Sequence, residues 1–298
     1  MTDFLLLARD RGLYRAITDN GAGGLSSSVG ETARLSGGCE IDLQKAPLKY
    51  PGLNPWEILI SESQERMTLA VPPERAEAFL ALARKMDCEA TVLGRYTDSG
   101  WFHIRYGEET VVYLEMDFLH DGLPQMNLRA AWTPPRHGEP DFPEPGDLGE
   151  ALKAMLGRLN VCSKESVVRQ YDHEVQGGSV VKPLTGDAND GPSDAAVIRP
   201  LLDSFEGIVV ANGICPRYSD IDAYAMAACA IDEAVRNAVA VGTPLDRLAG
   251  LDNFCWCDPV QSEKTPDGEY KLAQLVRANQ ALYDVTTAYG VPCISGTD

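Results

Sequence analysis

Thr18-Asp19-Asn20-Gly21-Ala22-Gly23-Gly24-Leu25-Ser26-Ser27-Ser28 is the stretch from which the fold is read. Before it, residues 14–18 predict a short strand. After it, Leu25, Val29, Ala33 and Leu35 recur at helical spacing, with the three serines near the start. Three glycines between a strand and a helix let backbone amides converge on an anion, and Asp19 can hold a divalent cation against phosphate. The run has neither the spacing of a Rossmann fingerprint nor the terminal Lys-Ser/Thr of a Walker loop. A tight structural turn and a phosphate loop are equal readings of these residues.

Outward from this stretch, Phe4 to Ala8 read as the end of a helix closed near Gly12. The abrupt opening on a helix and a strand predicts that residues normally preceding it are missing. Strands are predicted at 40–43, 57–61 and 67–71. Pro72-Pro73 then opens a helix carrying Ala76, Phe79, Leu80, Leu82 and Ala83. Extended segments at 90–96 and 101–106 flank the turn Asp98-Ser99-Gly100, and 110–116 closes the series. Alternation of strands with long helices predicts an α+β layer structure. Residues 134–145 are too rich in proline for a regular ladder, so they are the predicted linker, dividing the chain into domains 1–146 and 147–298. The second half predicts helices at 148–156, 221–241 and 270–289, and strands at 180–182, 194–198, 207–211 and 291–294. The helix at 221–241 carries an apolar face of Ala225, Cys229, Ile231, Ala234, Val235, Ala238 and Val239. The helix at 270–289 carries Leu272, Leu275, Val276, Leu282 and Val285.

The 298 residues carry 26 Lys and Arg against 44 Asp and Glu, a formal charge of −18 whose field repels nucleic acid and anionic membranes. Phosphorylated ligands remain compatible, because backbone amides and a bound cation accept them whatever the net charge. Eight cysteines are too sparse for a disulfide scaffold and do not fit a zinc module. Cys39, Cys88, Cys162, Cys215, Cys229 and Cys293, among apolar neighbours, are expected to be small buried hydrophobes, and Cys255-Trp256-Cys257 is a weak metal signal. Reduced thiols, no apolar run of about 20 residues and no signal-peptide cleavage site predict a cytoplasmic protein.

Two further groups carry chemistry. Glu62-Ser63-Gln64-Glu65-Arg66 sets polar groups beside an apolar β edge: either a solvated bend, or a polar claw on a ligand with Arg66 paired internally. Glu233 and Asn237, four apart on a helix, present oxygens on one face, which suits magnesium when another carboxylate joins them. Spacing alone favours a fortuitous exposed pair. Arg236 is placed to pair with Asp232. The four histidines show no metal spacing, and no nucleophile elbow or Cys-His arrangement is present.

Six runs appear in an order that resembles the synthetase subunit of phosphoribosylformylglycinamidine synthase. They are the opening stretch, Glu62 to Met67, Arg169-Gln170-Tyr171-Asp172-His173-Glu174-Val175-Gln176-Gly177, Gly191-Pro192-Ser193-Asp194-Ala195-Ala196, Asp232-Glu233-Ala234-Val235-Arg236-Asn237 and Leu251-Asp252-Asn253-Phe254-Cys255-Trp256. The resemblance covers nearly the whole chain. It implies two domains of the aminoimidazole-ribonucleotide-synthetase-like superfamily, a C-terminal-type domain (1–146, incomplete at its start) followed by an N-terminal-type domain (147–298, truncated at its end). It implies an ATP-dependent ligase that joins glutamine-derived ammonia to formylglycinamide ribonucleotide. The γ-phosphate activates the amide oxygen and ammonia attacks the resulting iminophosphate.

By that resemblance Asp19 is a magnesium ligand at the catalytic ATP, with Gly21, Gly23 and Gly24 beside the nucleotide. Glu62, Gln64 and Glu65 address the ribonucleotide substrate, and Asp194, Glu233 and Asn237 hold magnesium around a second, non-hydrolytic nucleotide. Thr297 departs from an expected lysine. The resemblance also implies a histidine-bearing domain, a closing synthetase domain and a glutaminase as partners that lie outside this sequence. These 298 residues alone are therefore expected to be inactive and, with domain faces uncovered, to self-associate. The alternatives are a related ATP-dependent synthetase or kinase of the same superfamily, such as a selenophosphate or thiamine-monophosphate enzyme, and a nucleotide-free structural module.

Overall fold

The computed structural model describes residues 1–49, 51–170, 174 and 176–297. Contacts divide the chain into two compact units, Met1–Met126 and Asn127–Asp298. The division falls before the boundary expected at 146/147. Ala131 N donates to Glu269 O at 3.0 Å and the Arg277 guanidinium lies 3.8 Å over the Trp132 ring, so residues 127–133 belong to the second unit.

In the first unit, α1 (Thr2–Asp10), β1 (Ala16–Asn20), α2 (Gly24–Arg34), β2 (Cys39–Asp42), α3 (Pro55–Ile60), β3 (Ser63–Ala70), α4 (Ala76–Lys85), β4 (Gly94–Tyr96), β5 (Trp101–Tyr106), β6 (Glu109–Glu115) and α5 (Met116–Asp121) follow in order. A four-stranded sheet has the order β4-β2-β5-β6, with β2 and β5 parallel and the outer pairs antiparallel. Leu25, Val29 and Ala33 of α2 share a core with Ile58, Leu59, Ile41, Phe102 and Ile104. Each large side chain fully buried there contributes roughly 1.5–3 kcal/mol. A second core joins α1 to α4, where the Phe4 and Phe79 rings meet edge to face at 5.0 Å.

The strand expected at 57–61 is instead α3. Asn54 N donates to the Glu57 carboxylate at 2.7 Å and Pro55 opens the helix, so N-terminal signals prevail over the short apolar run Ile58-Leu59-Ile60. The strand expected at 110–116 is β6, and α5 begins at the last residue of that segment, Met116.

The second unit contains α6 (Leu148–Leu156), α7 (Glu165–Val168), β7 (Ser179–Val181), β8 (Leu184–Thr185), β9 (Gly191–Pro192), β10 (Ala196–Ile198), β11 (Ile208–Val210), α8 (Ala223–Ala240), β12 (Gly250–Asn253), α9 (Gly268–Tyr289) and β13 (Cys293–Thr297). Its sheets are β11-β10-β7, β8-β9 and the parallel pair β12-β13. Helices α8 and α9 pack through Ala223, Ala227, Ala278 and Ala281. The expected apolar stripes are therefore borne out only in part: Val235 and Ala238 are buried, whereas Ala225, Cys229 and Val276 are exposed, because the close contact between the two helices runs through a different set of alanines. No helix among the described residues is long and apolar enough to cross a membrane.

Candidate functional site

Strand pairing decides what stands beside the glycine run. Asp19 lies opposite Met67 and Asn20 opposite Ser63, so Gln64-Glu65-Arg66 form a bulge in β3 at the point where β1 ends. The two polar segments, more than thirty residues apart in sequence, thereby meet at one end of the ribbon. Gly23 N donates to Glu62 Oε1 at 3.4 Å. Gly24 backs onto the same segment: its φ is +57°, and a β-carbon there would stand 2.3 Å from Ser61 O. Arg66 Nη2 donates to Ser61 O at 2.8 Å, which is the internal pairing expected of it.

The glycine amides are already engaged. Gly21 N donates to Asp19 Oδ1 at 2.7 Å, Gly24 N to Gly21 O at 2.8 Å, and Gly23 N faces the Glu62 carboxylate. The turn is thus closed by its own carboxylates, and an incoming anion would have to displace Glu62 to reach Gly23. Asp19 keeps its second carboxylate oxygen. The Glu65 carboxyl is held below its ordinary range, first by its own backbone amide and then by the Ser63 hydroxyl at 3.1 Å. Gln64 lies in β3, but its side chain is outside the described residues.

Beneath the turn is a polar knot that sequence patterning missed. Asn20 and Ser28 are almost completely buried. The Asn20 carboxamide oxygen accepts from Ser28 Oγ and, at 2.8 Å, from Thr68 Oγ1, tying β1, α2 and β3 together one residue after Asp19. In the sequence, Asn20 sits between Asp19 and Gly21 and carries only a turn signal.

In the second unit Glu233 and Asn237 share a face of α8, and both hold the segment packed on it. Ile214 N donates to Glu233 Oε2 at 3.0 Å and Asn237 Nδ2 donates to Asn212 O at 3.1 Å. The backbone approaches so closely at Gly213 that a β-carbon would lie 1.9 Å from Ala230 O. Each side chain retains one oxygen. Asp194 is exposed just before β10. Arg236 pairs with Asp232 as expected, at 2.6 Å. Among the described residues, no three His, Cys, Asp or Glu side chains converge to hold a metal. Tyr171, Asp172, His173 and Val175 lie outside the described residues, as does the Thr297 side chain.

Residues 1–107 match the family model described as AIR synthase related protein, C-terminal domain. The phosphoribosylformylglycinamidine synthase subunit PurL of Thermoplasma acidophilum is 33% identical over 99% of this chain, and that of Methanopyrus kandleri is 35% identical over 97%. The match takes in 38% of each of those proteins. The chain belongs to the phosphoribosylformylglycinamidine synthase family. Among solved PurL structures, the Thermotoga maritima protein complexed with ADP superposes with a TM-score of 0.70 at 26% identity, covering 99% of this chain and 45% of that one. The same protein complexed with FGAR gives 0.67 at 26%, covering 99% and 43%. As a PurL-family sequence of mixed α/β fold, the chain thus spans less than half the length of the relatives it matches.

Proposed function

We propose that this chain supplies the Asp19–Gly24 turn and the Glu62–Arg66 segment with its bulge to the active site of a phosphoribosylformylglycinamidine synthase, an ATP-dependent ligase of purine biosynthesis. The observation that carries this is the β1–β3 register, which sets the two segments side by side in a chain similar over 99% of its length to PurL structures complexed with ADP and with FGAR. The reaction takes formylglycinamide ribonucleotide and ammonia from a glutaminase partner, with ATP as the phosphoryl donor.

Electrostatics call for a cation. Asp19, Glu62 and Glu65 are carboxylates at one end of the ribbon, and an anionic nucleotide can share that end only if positive charge intervenes. The free oxygen of Asp19 fits Mg2+, with phosphate oxygens and water filling the remaining positions. Glu233 and Asn237, each with an oxygen left over, and Asp194 would hold Mg2+ at the second nucleotide. A bound Mg2+ offsets phosphate charge. The protein's own groups orient: Glu62, Gln64 and Glu65 address the ribonucleotide, and the Asn20 knot fixes where Asp19 stands.

Calorimetric titration with ADP in the presence and absence of Mg2+ tests this. Binding should require the ion, and Asp19→Asn should weaken it about tenfold, ~1.4 kcal/mol. Absence of ADP binding with and without Mg2+ would favour a nucleotide-free structural module, and tight binding only of thiamine monophosphate a related kinase. With substrate, ATP, Mg2+ and ammonium, these 298 residues alone should show no turnover. Product above a blank, abolished by Asp19→Ala, would overturn that expectation.

A further inference from the structure

Of the six cysteines expected to be buried, Cys39 is buried, whereas Cys88, Cys162 and Cys215 are half-buried and Cys229 and Cys293 are exposed. Cys39 is set apart from chemistry, since burial pushes its thiol up to about 11. Cys215 and Cys229 are different because the fold brings their elements together. The segment 212–215 lies along α8, held by the Ile214–Glu233 and Asn212–Asn237 hydrogen bonds and by the close approach at Gly213. Cys215 Sγ stands 3.9 Å from Met226 O and 4.0 Å from Glu233 Oε2. Met226, Cys229 and Glu233 are at i, i+3 and i+7 of one helix and lie along one side of it. Cys229 therefore lies between the two points that the Cys215 sulfur touches.

We propose that Cys229 and Cys215 are a modification site, forming a reversible disulfide that fastens the 212–215 segment to α8 when the protein meets hydrogen peroxide. Cys229, exposed, takes the first step: the peroxide O–O bond breaks, one oxygen joins the Cys229 sulfur as a sulfenic acid, and the other leaves as water. Cys215, half-buried beside it, resolves the intermediate. Its sulfur attacks that of Cys229, the S–O bond breaks, and a second water leaves. Both thiols are oxidised by one electron each, the peroxide takes up the two electrons, and the two thiol protons end in the two waters. A dithiol reductant reverses the bond. Neither residue belongs to the ligand set proposed above, but the clamp would immobilise the segment that Glu233 and Asn237 hold.

The test is a peptide map of the 298-residue chain after peroxide, alkylated without reduction, using a mixture of unlabelled and 15N-labelled protein. The expected product is a Cys215–Cys229 linked peptide, two hydrogens lighter than its parts, free of mixed-isotope pairs and lost on treatment with dithiothreitol. Cys215→Ser should let sulfenic acid accumulate on Cys229 several-fold above wild type, trapped with dimedone. The proposal is overturned if Cys229 links to a different cysteine or between chains, if Cys215 stays fully alkylatable after peroxide, or if Cys215→Ser traps no more sulfenic acid than wild type.

Discussion

Gly24 and Ser61 are in backbone contact: the place where a Gly24 β-carbon would stand is 2.3 Å from the Ser61 carbonyl oxygen, and Gly24 holds a φ of +57°. A side chain there would meet left-handed strain of roughly 1–2 kcal/mol and, separately, a clash that only a backbone shift relieves. Gly24→Ala should therefore lower the unfolding free energy by about 2 kcal/mol or more, read as a fall in the urea midpoint. A midpoint equal to wild type would mean that the turn and the bulge are not in contact.

The Asn20 knot gives a second expectation. Asn20→Ala leaves the buried Ser28 hydroxyl and its Thr68 neighbour without their shared acceptor. One such loss costs about 1–3 kcal/mol. Ala at Asp19, which is exposed and outside the knot, should change stability far less. Urea denaturation of both variants side by side separates a folding role from a ligand role.

Asp222 and Arg277 make the second unit sensitive to acid. Burial alone would push the Asp222 carboxyl up. The two Arg277 hydrogen bonds at 2.8 Å and the Tyr224 amide outweigh it and hold the carboxyl below its ordinary value. A depressed folded-state pKa contributes stability that is fully present above the unfolded value, about 3.9, and is lost as pH falls through the folded one. Asp222→Asn should lower the unfolding midpoint at neutral pH, and the gap from wild type should close below about pH 3.9. A gap that persists unchanged through that range would assign the effect to shape, not charge.

Gly213→Ala tests the seat of Glu233 and Asn237. With a β-carbon 1.9 Å from Ala230 O, the segment must lift from α8. The Ile214 amide, now bonded to Glu233, should then exchange its hydrogen markedly faster in deuterium. Retained protection at Ile214 would show that the segment is seated by other contacts.

Self-association follows from α6. Leu148, Leu152, Met155 and Leu156 are all more than half exposed on a helix of nine residues. Light scattering across a concentration series should show a mass that rises with concentration. Serine at Leu152 and Leu156 should suppress the rise, whereas scattering from monomer at every concentration counts against it.

Several features were legible in the sequence because local chemistry writes them there. The strand-glycine-helix stretch, the two long helices, the Arg236–Asp232 pair and the family resemblance each rest on short spacings or contiguous runs. Helix α3 was not legible as such, since Ile58-Leu59-Ile60 suits either a strand or a helix until Asn54, Pro55 and Glu57 are seen to act as a cap. The buried faces of α8 and α9 were only partly legible for a related reason: Val235 and Ala238 are buried as expected, but Ala223, Ala227, Ala278 and Ala281 were passed over. Alanine carries little hydrophobic signal, and only the closeness of two helices makes it the preferred contact residue.

The sequence by itself singled out the residues proposed to carry chemistry: Asp19 with its glycines, the Glu62–Arg66 run, Glu233 with Asn237. Tertiary structure alone decided how those residues are engaged. The β1–β3 register placed the bulge beside the turn, and close backbone approach put Glu62 on Gly23 and Ile214 on Glu233. Pairing between strands and the seating of a segment on a helix depend on contacts distant along the chain, which spacing cannot encode.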